Sequence, residues 1–120
     1  MEPDYSFIYP FNSGKQRVKV CIYDVTEKRF ERWGRTKREP GSYHGYYEPR
    51  DGRSRYRGIF GILHLRLGSL DDNLVAHEIY HLMADWMKSR NMQLSDKTEE
   101  TLAWLNGELN GNFWKKYRNL

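Results

Sequence analysis

A chain of 120 residues and 14.5 kDa has room for one domain, residues 1–120, and little more. With 38% hydrophobic, 30% charged and 15% aromatic residues and a net charge of +4, it falls outside the collagen-like, low-complexity and disordered classes. No run approaches the roughly 18 to 20 apolar residues of a membrane span, and the Met1-Glu2-Pro3-Asp4-Tyr5 start lacks the parts of a signal peptide, so a cytoplasmic protein with no membrane partner is expected.

Along the first 67 residues the pattern favours strands. Val18, Val20 and Ile22 alternate within Gln16 to Tyr23, which predicts a half-buried strand; the lone Cys21 in it can close no internal disulfide and reads as a buried strand residue. Gly34, Pro40, Gly41, Gly45, Pro49 and Gly52 follow and break any long helix, so this stretch is expected to be a long loop or an extra hairpin. Residues 28–57 hold ten Lys or Arg against four acids, a local +6 that leaves −2 for the rest. Such a basic, Tyr-rich segment can touch phosphates and stack on bases, or simply be a solvated loop. The branched apolar run from Gly58 to Leu67 predicts a second strand.

From residue 69 the spacing turns helical. Ser69, Asp71 and Asp72 supply a cap and an acidic first turn, and Leu74, Val75, Ile79, Leu82, Met83 and Trp86 recur at helical intervals as far as Arg90. A second helix is expected from Asp96, with Asp96 and Glu99 at capping-box spacing or Ser95 as the cap; Leu102, Leu105, Leu109, Phe113 and Tyr117 form its apolar stripe. The expected architecture is α+β: a small, mostly antiparallel sheet with its basic loop over 1–67, then two helices over 69–118.

Inside the first helix stands His77-Glu78-Ile79-Tyr80-His81. A four-residue spacing puts both imidazoles on one face, able to reach a single zinc, while Glu78 flanks that face where a general base meets a water. Taken singly, each residue has a plain reading as a half-buried helix histidine or an ion-pairing glutamate; the joint pattern is what points to zinc. A catalytic zinc takes a third protein ligand. Ala84 and Met87 stand where a metzincin has Gly and His, and no His follows His81, so a glutamate of the second helix is the candidate. Glu99 has a capping role to play, whereas Glu100 shares a face with Ala103 and Gly107, whose small side chains would let the helices approach; Glu100 is the preferred ligand and Glu99 the alternative.

The His77-Glu78-Ile79-Tyr80-His81 helix followed by Glu100-Thr101-Leu102-Ala103 resembles the small phage-encoded zinc peptidases of the gluzincin type, and is similar to the ImmA/IrrE peptidases in the same two helices, over about residues 58–110. That resemblance implies a minimal zincin-like fold whose edge strand precedes the active-site helix, a zinc cofactor on His77, His81 and Glu100, and location in the host cytoplasm. It also implies hydrolysis of a protein or peptide substrate with Glu78 as general base. Trp104 departs from the larger gluzincins, which place Asp four residues after the ligand glutamate, so orientation of the imidazoles falls to a backbone carbonyl or Asp85. The strand at 59–66 would pair with an extended substrate if its edge were free, and His64, Tyr43, His44, Tyr46 and Tyr47 are candidates for oxyanion or substrate contacts. The competing expectation is a nucleic-acid-associated module that works through weak contacts of 28–57, with a structural zinc closed by His64 or His44.

Overall fold

The computed structural model describes residues 1–36, 44–50, 55 and 57–120. Four strands form one sheet: β1 (Tyr5–Phe11), β2 (Gln16–Tyr23), β3 (Gly45–Pro49) and β4 (Ile59–Arg66), in the spatial order β1-β2-β4-β3. Three helices complete the α+β fold: α1 (Glu27–Thr36), α2 (Asp72–Ser89) and α3 (Asp96–Arg118), with a 3-10 turn at Leu67–Ser69 leading into α2. No helix among the described residues is long and apolar enough to cross a membrane.

Alternation decides which side chain meets which layer. On β2, Val18, Val20 and Ile22 point to the face covered by α2 and α3, while Cys21 and Tyr23 point to the opposite face, where α1 packs. Both faces of the second half of β2 are thereby buried, and so is Cys21. Burial pushes the Cys21 thiol up, which keeps it in the unreactive protonated form. On β4 the register slips next to Phe60, so Phe60 and Leu63 reach the same core although three positions apart; Ile62 goes to the other face.

The main core is closed by Val75, Ile79, Leu82 and Trp86 of α2 and Leu105, Leu109 and Phe113 of α3. Each fully buried side chain of this size contributes roughly 1.5–3 kcal/mol of transfer free energy. Two polar ties fix the helices to the sheet. The Tyr9 hydroxyl donates to the Leu109 carbonyl at 3.0 Å, and the Trp86 indole N–H donates to Gln16 Oε1 at 3.1 Å.

Several expectations are corrected. A helix, α1, occupies part of the stretch expected to be loop or hairpin, so three helices rather than two accompany the sheet. Its only large apolar residues, Phe30 and Trp33, lie three apart, too few for a clear sequence period, yet they stack against Tyr23 and Tyr46. The pairings of β1 with β2 and of β3 with β4 are antiparallel as expected, but β2 and β4 run parallel. That makes β4 an interior strand whose edges are both taken, and the edge beside α2 belongs to β3. The caps are Asp71, which accepts from the Leu74 N–H, and Ser95, which forms a capping box with Thr98; Ser69 and the Asp96/Glu99 pair do not cap.

Candidate metal centre

α2 presents a polar stripe beside its buried one. His77 and His81 are exposed, whereas Glu78, 2% exposed, lies at the boundary with the core. Among the described residues, His77, Glu78 and His81 form the one group of three or more donors, with ligand atoms all within 4.8 Å of one another. The two Nε2 atoms are 3.2 Å apart. Two zinc–nitrogen bonds of about 2.05 Å at a tetrahedral angle require about 3.3 Å between the nitrogens, so the imidazoles already sit at the spacing of a shared cation. Without one, the same spacing suits a single shared proton. Glu78 Oε1 is 3.8 Å from His77 Nε2, longer than the separation of two donors on one ion, and fits a carboxylate placed to hydrogen-bond a water instead.

Glu100 is not part of this group. It lines a depression with Trp86 of α2, and Trp86 follows His77 by nine residues, which at about 100° per residue brings it to the opposite side of the helix. The face thought to permit close approach looks the other way: Ala103 and Gly107 are exposed, and a Cβ added at Gly107 would meet nothing within 4 Å. α3 packs instead through Leu105, Leu109 and Phe113. Glu99 is exposed as well and joins no donor group.

The oxyanion candidates separate by strand face. His64 and Tyr46 lie under α1, across the sheet from α2: His64 Nδ1 is 2.8 Å from the Tyr23 hydroxyl, its Nε2 is 2.8 Å from Glu48 Oε1, and Tyr46 stacks on its ring. Burial drives the Tyr23 hydroxyl upward and keeps it a neutral partner for the imidazole. His44 precedes β3 and sits 2.6 Å through Nδ1 from Ser69 Oγ, ahead of α2. Tyr43 lies outside the described residues. Tyr47, the neighbour of Tyr46 and hence on the opposite face, donates its hydroxyl to Asp85 Oδ2 at 2.6 Å. Asp85 therefore fastens α2 to the edge strand one turn beyond His81. Gly61 makes this possible, since a Cβ there would run into the Tyr47 ring. Nothing in the local sequence marks Gly61 for that role, because Tyr47 is fourteen positions away and the two meet only through the pairing of β3 with β4.

Of the basic segment, Lys28, Arg29 and Arg32 project as exposed residues of α1, and Arg50 lies 3.8 Å from Glu48. Lys37, Arg38 and Arg53 lie outside the described residues.

No protein-family model, curated protein or solved structure matches the chain.

Proposed function

We propose that the chain is a zinc-dependent peptidase built on His77, Glu78 and His81. The observation that carries this reading is the 3.2 Å spacing of the two exposed imidazole nitrogens with a buried carboxylate beside them. His77 and His81 would supply two of the three protein ligands that a catalytic zinc takes, the third lying outside the group these residues form. When bound, zinc supplies Lewis acidity, polarising a carbonyl and lowering the pKa of water toward about 7. Glu78, anchored in the core side of α2, accepts the water proton and delivers it to the leaving amine. An extended peptide is best accommodated along β3, the strand at the edge of the sheet nearest α2, held at one end by Tyr47 and Asp85.

A structural zinc is less well supported. It needs four protein donors, and among the described residues neither His64 nor His44 joins the group, His64 lying across the sheet.

The test is Glu78→Gln. The variant should keep about one zinc per chain by elemental analysis while cleavage of a quenched fluorescent peptide library falls by on the order of a hundredfold or more. A zinc-loaded wild type that cleaves nothing, or a Glu78→Gln variant as active as wild type, would refute the peptidase reading.

A further inference from the structure

On the other side of α2 the structure contains a depression of about 350 Å³ bounded by Asn12, Ser13, Trp86, Glu100, Trp104 and Glu108. It offers two carboxylates, Glu100 and Glu108, and the exposed ring of Trp104 beside the edge of the buried Trp86, and among the described residues no Lys or Arg lines it. Glu100, Trp104 and Glu108 succeed one another at intervals of four on α3, so the carboxylates bracket Trp104 along about 12 Å of helix. Trp104 is 67% exposed and presents its ring between the two carboxylates. Glu108 Oε2 is enclosed and has no hydrogen-bond partner among the described residues; burial pushes the Glu108 carboxyl up, opposed by the Ser13 backbone N–H.

The walls are held firmly. Gln16 Oε1 accepts from both the Trp86 indole N–H and Asn12 Nδ2, and the opposite lip is the turn at Asn12 and Ser13, each with φ of 55°. Trp86 already carries a planar cation, with the Arg90 guanidinium carbon 4.4 Å from its ring centroid.

We infer that this depression is a second binding site, independent of the His77–His81 centre, that takes the guanidinium or ammonium side chains of a dibasic polypeptide segment. Charge complementarity selects a cation, and the exposed Trp104 indole adds cation–π attraction. Two carboxylates two helical turns apart exceed the reach of one cationic group. Two long basic side chains on the same side of an extended peptide, their Cα atoms about 7 Å apart, span them. The openness implied by Trp104 suits a chain laid across the surface better than an enclosed small molecule.

The experiment titrates metal-free, chelator-treated protein with acetylated Gly-Arg-Gly-Arg-Gly amide, with its Gln-for-Arg analogue and with 1,5-diaminopentane, following the indole N–H signals by NMR. The diarginine peptide should shift the Trp86 and Trp104 signals and leave Trp33 and Trp114 in place. Glu100→Gln combined with Glu108→Gln should weaken binding at least about tenfold, as should Trp104→Ala, whereas His77→Ala and Glu99→Gln should bind as wild type does. No shift up to about 10 mM peptide, a weak-binding ceiling, would overturn the site. Equal binding of the Gln analogue would overturn the cation requirement, and a diamine that binds as well as the peptide would overturn the polypeptide assignment. Because the metal is absent, the outcome is separate from that of the peptidase reading.

Discussion

Zinc should stabilise this protein, and the pattern across variants follows from which side of α2 each residue occupies. A ligand at a free concentration a hundred times its dissociation constant adds about 2.7 kcal/mol to a native state that alone binds it. For 120 residues the unfolding entropy is about 250 cal/mol/K near the melting point, so about 1 kcal/mol moves the midpoint by about 4 °C and the zinc increment corresponds to about 11 °C. The His77 side chain is 67% exposed, so His77→Ala should leave the metal-free midpoint within a few degrees while abolishing the zinc shift. Glu78→Gln preserves the volume of a buried side chain and should keep most of the shift. Glu100→Gln should keep all of it, since Glu100 lies on the Trp86 side of α2. Calorimetric scans with and without zinc, paired with binding titrations, measure every arm. A full zinc shift in His77→Ala would refute the site, and loss of the shift in Glu100→Gln would refute the placement of α3.

Two predictions concern the scaffold. Tyr47→Phe removes a hydroxyl bond to a half-buried carboxylate and should cost about 1.5 kcal/mol; Gly61→Ala, which displaces the Tyr47 ring, should cost about 2 kcal/mol or more in wild type but little in a Tyr47→Ala background. Additive costs in urea unfolding would refute the coupling. The Tyr9 hydroxyl is raised above its ordinary range, first by burial and then by the Glu108 charge. Its contribution is therefore complete below the unfolded-state value of about 10 and is lost above it, at about 1.4 kcal/mol per pH unit. Urea unfolding between pH 9 and 11 should show a decline that is shallower in Tyr9→Phe, by about half a proton on average and approaching one at pH 11, and equal slopes would contradict the assignment.

Much of the architecture is local and could be read residue by residue. α2 and α3 carry enough apolar residues at helical spacing to set their own periods, although their caps fell on Asp71 rather than Ser69 and on Ser95, the alternative to the Asp96/Glu99 pair. The His77-Glu78-His81 group is legible for the same reason, because a spacing of four within one helix fixes its geometry without help from the rest of the chain. The strands at 16–23 and 59–66 and the burial of Cys21 follow equally from alternation and apolar content. α1 escaped because Phe30 and Trp33 alone are too few to declare a period, and their partners Tyr23, Tyr46 and His64 come from three different strands. Only the tertiary structure decided the rest. The order β1-β2-β4-β3 makes β4 interior and gives the edge to β3, the single-residue step from Tyr46 to Tyr47 sends one ring under α1 and the other to Asp85, and the packing stripe of α3 turns Glu100 toward Trp86. Each depends on how a helix rotates about its axis or which strand pairs with which. Those choices are made by contacts between residues tens of positions apart, where no local spacing carries the information.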